Sequence, residues 1–420
     1  MLNQKTIWLI CINAQPPEVD THLRHQKFAE MLIANGYNVI IFTGSYLHYN
    51  KVNLITGKEK YIEKQYGNKK YVFIKIPSYK SNGIKRMWAI LTFARRFFLY
   101  KNKFSYPDLI IHNLRVPFDF LITLSASVLK TKYITEVWDL WPESFVAFDL
   151  IKKKNPLLKL AYYIERKTYQ KADRMIFTME GAQEYIIEKK WDMEHGGKID
   201  LNKCIYINNG IDLDEFDYNK LHYQIDDPDL TDPNLFRVTY VGSIRLVNGL
   251  KDLLDAAQFL KQEKKIKFLI YGDGSEREYL EQYCVDKQIN NVCFKQKWLE
   301  IKYIPYILSC SSLNIFNYKK NVINRFGGSQ GKLFQYMASG KPICSNQLMK
   351  YDLIQKYRLG IAKEFKSSQE YAEAIKTIYD LPLEEYNKLC IASRNAAYEF
   401  DFKSLYVKLQ SVVEDVLSNK

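Results

Sequence analysis

At 420 residues with 47% hydrophobic content, the chain holds enough apolar side chains for ordered cores and too many for a disordered protein. Lys and Arg total 61 against 47 Asp and Glu, a formal net charge of +14, which favours an anionic partner: nucleotide phosphates, nucleic acid or an acidic membrane surface. The six His include no HxxxH or HExxH pair and the seven Cys no CxxC, so no such metal motif is present and the thiols read as buried and reduced, as in a cytosolic protein.

In chain order, short β-rich runs alternate with longer helical patterns. Residues 6–12 read as a strand and 21–35 as a helix closed by Gly36, with strands again at 38–43 and 71–76. Residues 83–101 are helical, and the segment 83–103 mixes Lys85, Arg86, Arg95, Arg96, Lys101 and Lys103 with Trp88, Phe93, Phe97, Phe98 and Tyr100. Such a helix suits a surface lying on an anionic membrane, and equally a half-buried helix with a solvated basic edge. Strands follow at 109–112, 133–137, 174–178 and 204–208, with a helix at 157–171. The apolar run 118–129 is about half the length that spans a bilayer and reads as a buried helix. The N-terminal segment carries one basic residue and no small-residue cleavage site, so no signal peptide is expected.

A polar, Asp- and Pro-rich segment at 212–234 reads as a linker. A second series follows, with strands at 236–241, 267–271, 291–294, 313–316 and 342–345 and helices at 249–261, from Ser275, at 367–381 and at 404–417. The alternation predicts an α/β chain of two tandem doubly wound, Rossmann-like parallel-sheet domains, 1–211 and 235–401. The last helix, about 402–420, is expected to pack back on the first domain.

The stretch FGGSQGKLFQYMASGKP at 326–342 is the most informative. Glycines at 327, 328 and 331 free the backbone to turn N–H groups toward a ligand, Lys332 adds a cation, and a helix begins at once. A glycine loop, a cation and a helix N-terminus together make a phosphate site. Lys332 is expected to be exposed there.

Further motifs lie on both sides. They are Gln15-Pro16-Pro17-Glu18 before Arg24-His25, Tyr79-Lys80-Ser81-Asn82-Gly83 before Arg86, and Glu136-Val137-Trp138-Asp139-Leu140-Trp141-Pro142-Glu143-Ser144. Asn208-Asn209-Gly210-Ile211-Asp212, Tyr240-Val241-Gly242-Ser243 and Gly272-Asp273-Gly274-Ser275 follow. In this order and spacing, over nearly the whole chain, they resemble the retaining glycosyltransferases of family 4, of GT-B fold, and within them the branch that builds bacterial surface polysaccharides, fucosaminyltransferase-like members included.

The resemblance implies two Rossmann-like domains with a cleft between them, a donor site on the second and an acceptor site on the first. The donor, a nucleotide sugar of UDP type, would meet Gly242, Ser243, Gly272, Asp273, Gly274, Gly328, Ser329, Gly331 and Gln335, with Lys332 and Arg245 as the catalytic cations. The family's Arg after the first glycine and its Lys before the next are Ser243 and Asn248 here, so Arg245 could stand in for either or simply face solvent. The second Glu of the family's Glu-x7-Glu motif aligns with Gln335 and the first falls near Gly327; the Gln335 carbonyl can still accept from donor hydroxyls but brings no negative charge. No metal or other cofactor is implied.

On the acceptor side the resemblance points to Arg24, His25, Glu136, Asp139, Trp141 and Glu143. Aromatic rings can stack on a sugar while carboxylates take its hydroxyls; a buried Trp pair with Asp139 capping a helix is the competing account. The implied acceptor is a lipid-linked glycan, used at the cytoplasmic face of an anionic membrane. A sugar-nucleotide 2-epimerase is the alternative enzyme, although Gln335 does not favour paired acid/base chemistry. A nucleic-acid-binding protein is a third reading, against which the charge is spread over both halves and no RRM, KH or zinc motif occurs.

Overall fold

A computed structural model of the chain describes residues 4–16, 18, 23–48, 50–81, 83–147, 151–319, 325–329 and 331–418. Pro17, Asn82, Gln330 and the first two residues of the helix expected at 21–35 lie outside them. The chain divides into two compact units, Met1–Asn208 with Leu405–Lys420, and Asn209–Ser404.

The first unit is built on β1 (Thr6–Ile10), β2 (Asn38–Gly44), a small hairpin of β3 (Tyr46–Leu47) and β4 (Val52–Asn53), β5 (Tyr61–Tyr66), β6 (Lys69–Ile74), β7 (Leu109–Asn113), β8 (Lys132–Val137), β9 (Arg174–Phe177) and β10 (Cys204–Tyr206). Eight of these form one sheet in the order β10-β9-β8-β7-β1-β2-β6-β5. All neighbours are parallel except β5, which runs antiparallel to β6. The parallel strands are mainly apolar because both faces are covered: all five residues of β1 are buried, and Trp8 packs on Phe42 and Phe97 at 4.9 and 5.7 Å. Its helices are α1 (Leu23–Ala34), α2 (Ile84–Tyr100), α3 (Phe120–Leu129), α4 (Trp141–Ala147), α5 (Pro156–Lys171) and α6 (Ala182–Glu188). The run expected to be a buried helix is α3, yet Phe120, Leu124 and Val128 are exposed. It buries one stripe, and nothing among the described residues covers the other.

The second unit holds α7 (Leu213–His222), α8 (Pro228–Thr231), β11 (Phe236–Val241), α9 (Leu250–Phe259), β12 (Ile266–Tyr271), α10 (Arg277–Asp286), β13 (Val292–Phe294), α11 (Ile304–Cys310) and β14 (Leu313–Phe316). It continues with α12 (Gly331–Ala338), β15 (Ile343–Ser345), α13 (Leu353–Lys356), β16 (Gly360–Ala362), α14 (Ser368–Tyr379), α15 (Leu383–Glu399) and α16 (Phe402–Ser418). Six parallel strands follow the order β13-β12-β11-β14-β15-β16. That is the doubly wound order whose direction reverses between the first and fourth strands, here β11 and β14. From Leu405 on, α16 belongs to the first unit, where Asp415 pairs with Arg174.

The segment 212–234 is not a free linker. Its Asp and Pro residues, taken as loop signals, are helix starts: Asp212 caps α7 by accepting from the Glu215 N–H, Asp227 caps α8, and Pro228 takes its first position. Leu213, Phe216 and Leu230 are buried in a core with Phe334 and Met337. Lys295 holds Asp227 and Asp229, each at 2.7 Å.

One buried carboxylate makes the first unit sensitive to pH. Glu165 of α5 accepts from the hydroxyls of Tyr169 and Tyr185, each at 2.8 Å, and burial pushes its carboxyl up to about 7. With a folded value above the ordinary one of 4.5, its contribution to stability is full below about pH 4.5 and is lost as pH rises toward about 7. Glu165→Gln should therefore stabilise the protein by up to about 3 kcal/mol at alkaline pH and by little near pH 4.5. Thermal melts of both proteins across that range are the check.

Candidate active site

In a parallel sheet every strand delivers its following loop to the same carboxyl edge, and the candidate residues gather there in each unit. In the first unit Arg24 lies in the first turn of α1 and Glu136 near the end of β8. Arg24 Nε and Nη2 meet Glu136 Oε1 at 2.8 and 2.7 Å, and the guanidinium also donates to the carbonyls of Ile207 and Asn208. His25 Nε2 stands 3.3 Å from Glu136 Oε2, and its ring packs on Trp138 at 4.9 Å. Burial opposes charge on both groups and is outweighed. Arg24 and His25 hold the Glu136 carboxyl down at about 2, while Cys11 and Glu136 raise the His25 imidazolium to about 9. The cluster is thus a closed ion network with a net positive charge.

This changes the expected acceptor set. Glu136 is saturated by its two cations, and Glu143 is held by Lys189 and the Tyr162 hydroxyl, tying α4 to α5 and α6. Neither carboxylate stands open to a sugar. Asp139 is 65% exposed and Trp141 half-buried, so these two remain available. Asp139 does not cap a helix with its side chain; it faces Arg115 Nη1 at 3.6 Å. Sequence reasoning missed Arg115. Its guanidinium carbon lies 5.8 Å from the Trp138 ring and 5.4 Å from that of Trp141, and its Nε is buried without a hydrogen-bond partner. Its one signal was its place just past the end of β7.

In the second unit the site forms where β11 and β14 part. Lys332, second residue of α12, folds back over the end of β11. Its Nζ is 3.1 Å from the Tyr240 hydroxyl and lies over the Tyr240 and Tyr318 rings at 4.6 and 4.9 Å. A Cβ at Gly242 would stand 3.0 Å from Lys332 Cδ and Nζ, and Gly242 has φ +149°, so glycine makes this approach possible. Lys332 is therefore half-buried, not exposed as expected, and burial pushes its ammonium down to about 7. Gln335, one helical turn on, is half-buried on the same face.

The surrounding loops brace one another. A Cβ at Gly272, where φ is +120°, would meet the Gly242 carbonyl at 2.0 Å. Ile244 N–H donates to the Asp273 carbonyl at 2.8 Å, and Gly274 packs on Ile244. Glycine at 272 and 274 thus lets these neighbouring loops pack closely. Ser243 Oγ donates to Asn248 Oδ1 at 3.2 Å, so the two positions where the resembled family carries cations are joined by a hydrogen bond. Arg245 is exposed, and its backbone is tied to Asn248: its N–H donates to Asn248 Oδ1 at 3.3 Å and its carbonyl accepts the Asn248 N–H at 2.8 Å. Asn209 Nδ2 donates to the Ser329 carbonyl at 3.1 Å and to its hydroxyl at 3.3 Å, fixing the loop of Gly328 and Ser329 before α12. Gly331 opens the helix and is exposed. Tyr318 also lines a groove of about 610 Å³ with Asp252, Asn346, Phe365 and Tyr371, so this edge is open to a ligand. Of Asp212 and Asp214, spaced as a metal-binding pair would be, the first caps α7 and the second pairs with Lys403.

No curated protein matches the sequence. Residues 236–380, within the second unit, match the family of group 1 glycosyl transferases. The structure superposes over its whole length on solved enzymes of low sequence identity. Sucrose-phosphate synthase of Thermosynechococcus elongatus matches with a TM-score of 0.71 at 16% identity, covering 99% of this chain and 100% of that one. Trehalose-6-phosphate synthase OtsA gives 0.72 at 11%, covering 99% and 100%. Anabaena Alr3699/HepE, solved in complex with UDP and glucose, gives 0.64 at 14%, covering 98% and 100%. These likenesses establish the GT-B fold of the chain, and within it residues 236–380 are similar to the group 1 glycosyl transferases.

Proposed function

We propose that the protein transfers a sugar, hexosyl or N-acetylhexosaminyl, from a UDP-type nucleotide donor to a lipid-linked glycan during synthesis of a bacterial surface polysaccharide. The observation that carries the reading is the placement of Lys332 at the first turn of α12, against the glycine at the end of β11. A helix N-terminus, a cation and backbone approached through glycine suit a diphosphate. The group 1 domain over 236–380 supports a nucleotide-sugar donor, as do neighbours whose structures hold UDP or UDP-2-fluoro glucose.

In the proposed step the bond from the sugar's anomeric carbon to the phosphate oxygen breaks with its electron pair going to phosphate. The acceptor oxygen bonds to the same face of an oxocarbenium-like centre, retaining configuration. Its proton passes to the departing phosphate oxygen, so no protein base is required. Lys332 and the α12 N–H groups stabilise the charge that builds on the leaving diphosphate. Gln335 accepts from donor hydroxyls, and Asp139, Trp141 and Arg115 border the acceptor. Catalysis proceeds without a divalent metal: turnover should survive EDTA, and activity lost to EDTA and restored by Mn²⁺ would overturn this part.

Lys332→Ala should lower kcat about a hundredfold, the loss typical of one preorganised charge-stabilising group, about 3 kcal/mol. The same change should leave the fold intact or more stable, because it removes an amine whose charging burial opposes. Arg245→Ala should cost little, since its side chain is exposed, and Gln335→Glu should be tolerated. Near-wild-type turnover of Lys332→Ala in a steady-state assay would remove the proposed site.

Donor affinity should also follow the charge on Lys332. A nucleotide sugar's diphosphate does not titrate near neutrality, so the lysine, at about 7 when free, is the group that responds. A bound anion raises its value, so binding takes up a proton above pH 7. Calorimetric affinity for UDP-glucose should be flat below about pH 7 and fall up to about tenfold per pH unit above it, with the slope gone in Lys332→Met.

A further inference from the structure

Three helices of the first unit carry apolar side chains that the fold leaves uncovered. α3 packs beside both α2 and α5, and each runs back from the carboxyl edge of the sheet, so their first turns lie along that edge. Ile84 is 84% and Trp88 62% exposed at the start of α2, and Leu157 is 66% and Leu160 52% exposed at the start of α5. Between them α3 turns outward Phe120, Leu124 and Val128, at every fourth position. Apolar residues scattered singly on a surface need no explanation, whereas a group on three adjoining helices does.

Among the described residues, the exposed charges on these three helices and in the run just ahead of α5 are all basic. Lys85, Arg95 and Lys159 are exposed, as are Lys152, Lys153 and Lys154 ahead of α5. Neither α2 nor α3 contains a carboxylate, and the one in α5, Glu165, is buried. The surface is also narrower on α2 and wider beyond it than the sequence implied. Phe93 and Phe97 face the core, Arg96 donates to the Lys75 carbonyl, and Lys101 is buried with its Nζ 3.9 Å from the Phe98 ring centre.

We propose that this three-helix surface docks the protein on an anionic lipid bilayer, its apolar side chains entering the interface and its basic ones meeting lipid phosphates. A second copy of the chain would set like charge against like across the same face. Among the described residues no helix is long and apolar enough to cross a membrane, so docking is peripheral. The loop that carries Arg115 leads directly into α3, so the surface adjoins the edge where Arg115, Trp138 and Trp141 gather. Presenting a lipid-linked acceptor there rests on the proposed function; bilayer docking does not.

Flotation of the full chain with vesicles tests the surface. The protein should float with phosphatidylcholine vesicles containing phosphatidylglycerol, less with phosphatidylcholine alone, and be released by high salt. Lys85→Glu with Arg95→Glu should weaken binding at least about thirtyfold, at the strength typical of two basic residues near a charged surface. Trp88→Ser with Leu160→Ser should weaken it while leaving its salt dependence. Lys264→Glu with Lys265→Glu, an exposed pair on the second unit, should change nothing. Circular dichroism and UDP binding, retained in every variant, would separate lost docking from lost fold. Absence of flotation, equal weakening by the Lys264 and Lys265 pair, or a dimer abolished by the Trp88 and Leu160 changes in a protein that does not float would each overturn the proposal. Failure of the wild type to bind UDP while it still floats would instead overturn the proposed function.

Discussion

Strands β11 and β14 are parallel neighbours, yet the chain leaves them toward opposite faces of the second sheet. After β11 it turns into α9, which packs with α14, and after β14 it leads to α12, which packs with α7 and α15. Two loops diverging from adjacent strand ends open a crevice no neighbouring loop can fill. Everything assigned to the donor follows from that reversal. The α12 N-terminus is aimed at the crevice, Gly242 leaves room for the Lys332 stem, and Tyr240 and Tyr318 hold the ammonium. The arrangement keeps a lysine in partial burial at the cost of its charge when no anion is present. In the proposed donor complex a diphosphate would restore the charge, making binding and protonation one event.

The first unit solves a different electrostatic problem. Glu136 is buried at a strand end, where an unpaired carboxylate would be expelled or neutralised. Two cations from one turn of α1 surround it, and Arg24 carries the link on to the carbonyls of Ile207 and Asn208. A saturated cluster of this kind rigidifies the edge and is chemically quiet. Beside it stand Trp138, packed on His25, and the buried Arg115, which reaches Asp139 and Trp141, the two left accessible.

Much of the second unit's fold was legible because β11, β12, β14 and β15 are short apolar runs followed directly by glycine or asparagine, whereas the three-residue β16 went unread. β5 was not legible: its YIEKQY is polar because it forms the sheet's half-exposed edge, paired on one side only. Nor was the role of 212–234, because Asp and Pro mark a helix start and a linker equally well until the Leu213 and Phe216 side chains are seen in the core.

The sequence by itself determined the periodicities, hence two doubly wound α/β units, and marked Lys332, the glycine turns and the motif around Glu136, since local pattern and chain order encode these directly. Tertiary structure decided which of those residues are free to act. Whether Glu136 is an open carboxylate or half of an ion network depends on Arg24, 112 positions away. Whether Lys332 is solvated or tucked under two tyrosines depends on Tyr240, 92 positions away. Likewise α3 reads as buried from composition alone, and only its packing reveals the exposed stripe it shares with α2 and α5. Charge state and exposure are set by what folding brings alongside a residue, and a linear pattern carries no record of that.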